Sequence, residues 1–512
     1  MIEHQGKDAA TEPTRVCTIE MSDGTPCGRP IHPTPEHDKK PVCLMHSEDP
    51  TKCISEFQAE IERILKSAPV PGGKVDFTRF IFPESDYSER TFSLDCCFLD
   101  AVFLQQANFD HTAFNGKADF VHCSFEKRAD FTCAKFSEAV HFSASGFAKS
   151  ADFTSASFAS DAMFLNVSFQ DKVNFYQCTF GQLADFWHAT FAGLAEFQEA
   201  HVLGPLRFQQ TYFEREVVGA PCLRFSEVEL KNPKQVIFYR TNLTHALFYN
   251  TDISEVVFSL VTWGSRNRQA PKLRWLHFPW ALDLRSDRAC LFEEVVEASI
   301  HSEYELGPSA ISSDERNYGL IAEIYQQLKR NYDAKGDYLT AGHWHYGEME
   351  MKRLHSRWRW RPLRWLSQHS SLVALYKYAS AYGESYTLPL IWLCVVLVGF
   401  AFLYPVLGTY PTTGMALNPE GTVYAKDSAQ NFLNYWNYAA FFGAHPTEYP
   451  SGWLGMMLHS FMTSISVAGF QKELRYMPCY PWGRMMALAE MLLTTTLAGL
   501  FALAIRRQFK RS

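Results

Sequence analysis

The sequence predicts a multidomain protein that combines a β-solenoid, an α-helical hairpin and an α-helical membrane module. Three features of the 512-residue chain carry this prediction. A phenylalanine recurs at alternating steps of five and six residues through the middle of the chain, long apolar runs lie near the C-terminus, and cysteines precede both. The predicted domains are residues 1–54, 55–74, 75–263, 264–380 and 381–512.

The first of these domains contains a pattern of three cysteines and one histidine. Cys17, Cys27, Cys43 and His46 follow the spacing C-x9-C-x15-C-x2-H. Three thiolates and one imidazole form the closed tetrahedral shell of a structural zinc ion. The segment has few apolar residues of its own, so it needs a metal to fold. The alternative interpretation is four unrelated residues.

This pattern is similar to the three-cysteine, one-histidine zinc motif of the plant WRC domain. The second spacing is longer here, and the basic residues that accompany that motif are missing. The resemblance therefore implies a structural Zn²⁺ ion but not DNA binding.

The phenylalanine series defines the solenoid, which an amphipathic helix at residues 55–67 is expected to cap. A small or short residue precedes each ring by two positions, so an eleven-residue unit repeats about ten times. Such a period suits a solenoid whose stacked turns bury the same rows of side chains. The series consists of Phe98, Phe103, Phe109, Phe114, Phe120, Phe125, Phe131, Phe136, Phe142, Phe147, Phe153, Phe158, Phe164, Phe169, Phe175, Phe180, Phe186, Phe191, Phe197, Val202, Phe208 and Phe213.

Several repeats read Ala-Asp-Phe, as at residues 118–120, 129–131, 151–153 and 184–186. They resemble the pentapeptide-repeat family, whose consensus is a small residue, Asp or Asn, then Leu or Phe. The resemblance implies a right-handed quadrilateral β-helix. The additional residue in every second pentad departs from the family and predicts a bulged corner on alternate sides. A rod of this kind serves as a spacer, scaffold or binding face.

Residues 264–380 predict a helical linker with a basic, Trp-rich end. Two helices are expected as an antiparallel hairpin, and the second carries His343, His345, Glu348 and Glu350. We interpret these four as a polar helix face rather than a metal or catalytic site. The residues predicted to lie at the membrane interface alternate arginine with tryptophan, which suits anionic headgroups. They are Arg357, Trp358, Arg359, Trp360, Arg361, Arg364 and Trp365.

The C-terminal region predicts two membrane spans, at about residues 386–408 and 484–505, with an uncharged segment between them. Basic clusters flank the first span on its N-terminal side and the second on its C-terminal side. Both termini should then be cytosolic. The predicted helical hairpin resembles the unit seen between pentapeptide repeats and a membrane module in bacterial proteins, and this resemblance implies a bacterial inner membrane. An even number of crossings makes the middle segment, about 453–471, a re-entrant hairpin.

The order of span, re-entrant segment and span resembles the pore module of tetrameric cation channels. The resemblance implies a homotetramer and a filter at Ser464, Ile465, Ser466, Val467, Ala468, Gly469 and Phe470. The glycine-rich filter of potassium channels is absent. Lys472 and Arg475 at the predicted pore mouth should disfavour cations, so we expect weak selectivity or a preference for anions.

Composition limits the remaining classes of function. The net charge of −7 gives no sign of a general nucleic-acid binder, and the thirteen cysteines are not spaced as a disulfide framework. No nucleophile, base pair or phosphate-binding loop stands out, so no enzyme is expected. The expected function is a gated ion channel in contact with the lipid bilayer. The alternative is a membrane-anchored scaffold whose solenoid recruits a cytosolic protein.

Overall fold

The computed structural model describes residues 16–32, 38, 40–49, 51–67, 73–214, 220–267, 287–304, 317–355, 361–407, 409–411, 453–469, 476–478 and 481–511. The chain divides into two compact units. Unit 1 comprises Met1–Arg266 with Ala289–Lys335, and unit 2 comprises Asn267–Arg288 with Gly336–Ser512. Ala289–Lys335, predicted from the sequence as part of the helical linker, thus belong to the same unit as the solenoid.

Unit 1 is built on a parallel β-solenoid of about eight turns, as the phenylalanine series predicts. Its short strands form four parallel sheets, of nine, seven, eight and seven strands. Each strand pairs with the strand 22 residues further along through most of the series, as in the register of Phe125 with Phe147. One turn therefore consists of two eleven-residue units.

The strands of the four sheets have the following bounds. The nine-stranded sheet contains Lys74–Asp76, Asp95–Cys97, Ala118–Asp119, Val140–His141, Ala162–Met163, Ala184–Asp185, Leu206–Gln209, Val236–Tyr239 and Val257–Ser259. The eight-stranded sheet contains Ser85–Asp86, Ala107–Asn108, Ala129–Asp130, Ala151–Asp152, Val173–Asn174, Ala195–Glu196, Leu223–Arg224 and Ala246–Leu247. One seven-stranded sheet contains Ile81–Phe82, Val102–Phe103, Ser124–Phe125, Gly146–Phe147, Ser168–Phe169, Thr190–Phe191 and Tyr212–Phe213. The other contains Thr91–Phe92, Ala113–Phe114, Lys135–Phe136, Ser157–Phe158, Thr179–Phe180, His201–Val202 and Glu229–Leu230.

The solenoid core consists of stacked phenylalanine rings. Phe153 is fully buried and stacks on Phe131 and Phe175, with ring centroids 5.0 Å apart in each pair. The small residues that precede the rings, such as Ala151 and Ala156, are also buried. The prediction that both rows point inward is therefore confirmed. Offset stacking adds to the free energy gained by removing this apolar surface from water.

The two kinds of step turn the chain in different ways. In each five-residue step from Phe98 to Phe213, one non-glycine residue has left-handed backbone, such as His122 with φ 57° and Ala144 with φ 57°. A tight turn accompanies it, since the Ser145 N–H donates to the Phe142 carbonyl at 3.2 Å. The described six-residue steps contain no such residue. The sequence predicted the irregular corner at the longer step, but the additional residue there lets the chain turn without a positive φ.

Helices and irregular segments cover both ends of the solenoid. Helix α1 (Ile54–Ser67) packs on the first turn, where the ring centroids of Phe57 and Phe82 are 5.5 Å apart. The predicted cap is therefore present. Helices α2 (Phe292–Tyr304) and α3 (Tyr318–Ala334) lie in the same unit as the last turns.

Helix α3 satisfies polar backbone groups at the end of the solenoid. Asn331 Nδ2 donates to the carbonyls of Ile253 and Val256, at 3.1 and 2.7 Å, and Lys335 Nζ donates to the Phe258 carbonyl at 3.1 Å. An uncovered solenoid end would expose its core and leave such groups unpaired. The sequence placed α3 in the linker because its role depends on contacts about 75 residues away.

Unit 2 is helical in its described residues apart from short strands. The helices are α4 (Tyr338–Leu354), α5 (Arg361–Ser370), α6 (Leu372–Ser380), α7 (Thr387–Leu407), α8 (Trp453–Ala468) and α9 (Pro481–Arg511). Unit 2 also contains a short 3-10 helix at Ala381–Gly383 and the strands Thr409–Pro411 and Tyr476–Pro478. The remaining short elements of the described chain are a 3-10 helix at Pro233–Gln235, in unit 1, and the strands Gly264–Asn267 and Asp287–Cys290, close to the unit boundaries. The helices α3 and α4 predicted as a hairpin belong to different units.

Helices α7 and α9 run antiparallel. At one end the strand Thr409–Pro411 pairs antiparallel with Tyr476–Pro478, which joins the region after α7 to the region before α9. At the other end Arg507 of α9 donates to the Tyr382 carbonyl at 3.0 Å, just before α7 begins. Both helices contain a stretch long and apolar enough to cross a membrane, Thr387–Tyr404 and Met485–Arg507.

Candidate functional sites

The four residues predicted to bind a metal lie together in the segment that covers the start of the solenoid. Cys17 and Cys27 occupy opposite arms of a hairpin, in which the Cys17 N–H donates to the Arg29 carbonyl at 2.7 Å. Cys43 and His46 are joined by a turn, where the His46 N–H donates to the Cys43 carbonyl at 3.0 Å. The four ligand atoms all lie within 4.8 Å of one another.

The spacing of these atoms fits a tetrahedral metal site. His46 Nδ1 lies 3.2 Å from Cys43 Sγ and 3.5 Å from Cys17 Sγ, and the sulfurs of Cys27 and Cys43 are 3.7 Å apart. Zn–S and Zn–N bonds of about 2.3 and 2.1 Å place tetrahedral ligand atoms roughly 3.5–3.8 Å apart. Three of the four residues are buried, and Cys27 is half-buried. The cluster can therefore hold a metal ion.

The solenoid orients the imidazole of His46. Nε2 lies 3.1 Å from the Thr78 carbonyl oxygen, which can only accept a hydrogen bond. Nε2 must then carry the hydrogen, and the lone pair of Nδ1 faces the thiols. The ring also packs edge-on against Phe80 at 5.2 Å. Hydrogen bonding of this kind fixes the tautomer that binds a metal. The sequence does not reveal this partner, which lies 32 residues away.

The environment of Cys27 favours a thiolate. Hydrogen bonding to Cys43, and then contacts with His46 and Arg29, lower its pKa well below the usual value for a thiol. The Arg29 guanidinium donates to Cys27 Sγ at 3.2 Å and to Glu60 of α1 at 2.9 Å. A metal binds cysteine as the thiolate, so this contact prepares the site for a cation and ties it to α1.

The segment that carries the metal ligands also contacts the first solenoid turn. The Ile81 N–H donates to the Met45 carbonyl at 2.8 Å, and Arg79 Nη1 donates to the Glu20 carbonyl at 3.0 Å. Lys52 Nζ bridges the Ser47 and Ile81 carbonyls at 2.8 and 2.5 Å. The Cys₃His cluster and the N-terminal cap of the solenoid are thus parts of one structure.

Helix α8 contains most of the predicted filter. Ser464 to Ala468 form its last turns, and Gly469 follows, with its N–H donating to the Ile465 carbonyl at 2.9 Å. Their carbonyls lie along a helix, unlike the stacked carbonyl rings of a potassium filter. Phe470, Lys472 and Arg475 lie outside the described residues. The assignment of this segment to a pore stays a prediction.

A buried carboxyl group joins α8 to both apolar helices. Glu490 of α9 is fully buried and accepts a hydrogen bond from Tyr404 of α7 at 2.5 Å. Its other oxygen is hydrogen-bonded to Ser464 of α8. Ser464 Oγ also donates to the Leu397 carbonyl of α7 at 3.1 Å. The sequence showed Glu490 as a lone charge in an apolar run, but gave no sign of its partners.

The predicted membrane-interface residues are described only in part. Arg357 to Trp360 lie outside the described residues, Arg361 and Arg364 belong to α5, and Trp365 is 61% exposed. An exposed tryptophan on a basic helix agrees with an interfacial position, which stays a prediction.

Helix α4 carries buried charges where the sequence predicted a polar face. Glu350 is hydrogen-bonded to Arg353, Lys377 and Tyr382, at 2.6, 2.8 and 2.8 Å. Burial alone would raise the pKa of Glu350, but hydrogen bonds from Arg353 and the charge of Lys377 lower it to about 2. The carboxylate is therefore a structural ion-pair partner that fixes α4 against α6 and the turn before α7. On the same helix, His345 Nδ1 lies 3.6 Å from a carboxylate oxygen of Glu348, three residues further along.

Comparisons of the chain with protein-family models, with curated proteins and with solved structures found no match. Its function is therefore inferred from the geometry of the chain itself.

Proposed function

We propose that the chain is a multi-pass protein of a bacterial inner membrane and forms a passive, weakly selective ion pore gated through its soluble part. The observation that carries this proposal is the position of α8. The strand pair at Thr409–Pro411 and Tyr476–Pro478 brings the two ends of the intervening segment together, which supports a topology with both ends on one side of the membrane. Between them, α8 reaches Leu397, the middle of α7. A segment that enters the membrane halfway and returns to the same side is re-entrant.

The length of α8 supports the same topology. Its 16 residues span about 24 Å at about 1.5 Å per residue, less than the hydrocarbon core of about 30 Å. A re-entrant segment at this depth persists only where it is buried in protein or lines a water-filled path. An anchor that merely tethers a solenoid has no use for such a segment. We therefore assign it to the pore.

The proposed orientation has both termini in the cytosol. The basic residues around Arg361 and at Arg506 and Arg507 precede α7 and end α9, so antiparallel spans put them on one side. Basic residues near spans favour the cytosolic side. Two crossings per chain cannot enclose an aqueous path, so the pore requires a ring of subunits, proposed as a homotetramer.

The finer features of the soluble part belong to this proposal as well. The solenoid is proposed as a right-handed, four-sided β-helix of the pentapeptide-repeat type, which the four parallel sheets support. The proposed metal is zinc, supported by the Cys₃His donor set. No nucleophile, base pair or phosphate-binding loop stands out in the sequence, so we propose no enzymatic activity.

Current recordings in planar bilayers test the pore. We expect purified protein to conduct with weak selectivity, and reversal potentials across potassium, sodium and chloride gradients measure that selectivity. Gly469→Val should reduce the current, because a Cβ there would lie 3.2 Å from the Ile465 carbonyl oxygen. Gly399→Val is the control, since a Cβ at this position of α7 would have no atom within 4 Å apart from the backbone of its own helix. Absence of current from pure protein, or strong potassium selectivity, would contradict the proposal.

A membrane-anchored scaffold is the second candidate. It is favoured by the solenoid itself, whose covered ends leave its long sides as exposed surface. A scaffold predicts a cytosolic partner that binds the isolated protein and no current in bilayers. The same recordings therefore separate the two candidates.

A further inference from the structure

Glu490 is placed where an ionisable side chain is costly. It belongs to α9 within the apolar stretch Met485–Arg507, and it is fully buried. Acidic residues inside membrane spans are rare and usually have a specific partner or function. The pore proposed above does not by itself assign a role to this carboxyl group.

The junction around Glu490 contains three hydrogen bonds. Tyr404 Oη lies 2.5 Å from Glu490 Oε2, Ser464 Oγ contacts Glu490 Oε1, and Ser464 Oγ lies 3.1 Å from the Leu397 carbonyl oxygen. Three helices meet through these bonds, and the side chains of Tyr404 and Ser464 are fully buried. Each bond requires one hydrogen.

The two hydroxyl groups supply only two of these hydrogens. Tyr404 and Ser464 each carry one O–H, while an ionised carboxylate and a backbone carbonyl only accept. With Glu490 ionised, the single hydrogen of Ser464 must serve either Glu490 or Leu397. A proton on Glu490 Oε1 resolves this conflict. Glu490 then donates to Ser464 Oγ, Ser464 donates to the Leu397 carbonyl, and Tyr404 donates to Glu490 Oε2.

We propose that Glu490 holds a proton on Oε1 and that, in this neutral form, it is the positioning residue that fixes α8 between α7 and α9. A neutral carboxyl group avoids the cost of a buried charge in the bilayer. The groups that face it from the packed helices are the hydroxyls of Tyr404 and Ser464, and no charged side chain among the described residues is in contact with it. The inference rests on the proposed pore only for its functional consequence.

Infrared spectroscopy of the full-length protein in lipid nanodiscs at neutral pH tests the proton directly. We expect a protonated-carboxyl band that is absent from Glu490→Gln and shifted in Ser464→Ala and in Tyr404→Phe. Thr495→Val is the control, because Thr495 is exposed on α9 and donates to the Met491 carbonyl of its own helix. A Glu490→Gln difference spectrum without a protonated-carboxyl band would overturn the proposal.

Hydrogen exchange of α8 tests the positioning role in the same nanodiscs. A glutamine amide donates and accepts as the protonated acid does, so Glu490→Gln should keep α8 protected. Glu490→Leu removes both functions and should raise exchange in residues 453–468 by at least tenfold while α7 stays protected. Equal exchange in the two variants would refute the role. The infrared band and the exchange of α8 can both be measured even if the protein carries no current. Failure of the pore proposal can therefore be distinguished from failure of the proposal for Glu490. If it conducts, Glu490→Gln should retain the current that Glu490→Leu loses.

Discussion

At the scale of single residues, the corners of the solenoid place non-glycine residues in a strained, left-handed backbone conformation. Ala144 has φ 57°, a conformation that costs an L-residue with a Cβ roughly 1–2 kcal/mol. Ala148 lies in the following six-residue step, where no described residue has a positive φ. Two alanines of the same rod thus differ mainly in backbone conformation.

The first prediction compares these two alanines. Ala144→Gly should stabilise the solenoid by about 1 kcal/mol, because glycine adopts the left-handed conformation freely. Ala148→Gly should destabilise it by about 0.5–1 kcal/mol, since glycine only adds freedom to the unfolded chain there. Chemical denaturation of the two variants measures the difference. A loss of stability in both would mean that the corner is not strained.

The second prediction concerns the stacked core. Phe153→Ala should cost about 3–5 kcal/mol, because it opens a cavity between the rings of Phe131 and Phe175. Lys149→Ala on the exposed surface is the control and should change stability by less than about half a kcal/mol. Asp152 is unsuitable as a control, because its carboxylate accepts a hydrogen bond from Thr154 at 2.6 Å. An equal loss of stability in the two variants would contradict the assignment of Phe153 to the interior of the solenoid.

The third prediction is a pH dependence from Glu293 of α2. Oε1 accepts from the Phe248 N–H at 2.6 Å, and Oε2 has no hydrogen-bond partner among the described residues. Burial raises the pKa of Glu293 from 4.5 to about 7. The folded state thus binds the Glu293 proton more tightly than the unfolded state does. The stability that protonated Glu293 contributes to the folded state is therefore fully present below pH 4.5 and is lost as the pH rises through 7.

Glu293→Gln should remove this dependence, since an amide does not ionise. We expect wild-type stability to fall by about 3 kcal/mol between pH 4.5 and 8, and the variant to show a flatter profile. Glu138→Gln, at an exposed position, should keep the wild-type slope. Denaturation midpoints across this pH range provide the measurement, and a variant slope equal to the wild-type slope would contradict the assignment.

At the scale of elements, each end of the solenoid has its own cap, and the first one contains the metal cluster. The fourth prediction is therefore about one zinc per chain by elemental analysis after metal-replete purification. Cys43→Ser should lose the metal and lower the unfolding temperature, because the same segment contacts α1 and the first turn. Cys53→Ser changes an exposed cysteine outside the cluster, so this variant should keep both the metal and the wild-type unfolding temperature. Full zinc content in Cys43→Ser would exclude this ligand set.

The elements of unit 2 are fixed by buried polar contacts as well as by apolar packing. Glu350 joins α4 to Lys377 of α6 and to Tyr382, whose backbone is left-handed with φ 62°. Arg507 of α9 then donates to the carbonyl of this same Tyr382. One left-handed turn therefore connects α4 to the ends of both apolar helices.

At the scale of the whole molecule, the fifth prediction is the tetramer. In the proposed topology, two antiparallel spans and a short re-entrant helix cannot surround water, so conduction requires several subunits. Native mass measurement in detergent should return four chains. Cys53→Ser and Thr495→Val, which alter exposed side chains outside the metal cluster and the junction, should return the same mass. Monomers and dimers alone would contradict the ring and leave the scaffold as the better candidate.

Features that depend on local periodicity and spacing can be predicted from the amino-acid sequence. The recurrence of Phe at five and six residues is sufficient for a parallel solenoid with inward rings, because each turn repeats the same contacts. Four residues with zinc-ligand spacing were sufficient to identify the Cys₃His cluster. Long apolar runs were sufficient for α7 and α9.

Features that depend on distant partners emerge only in the folded chain. Three examples are the bond from His46 to Thr78, the cap formed by Asn331 and the junction around Glu490. Each of them joins residues that are separated by 26 to 86 positions in the sequence. A buried polar group must find its partner wherever the fold brings one, and no period in the sequence records that position. The left-handed residue in the shorter step was not predicted from residue type either, because residues as different as His122 and Ala144 adopt this conformation where the five-residue step turns.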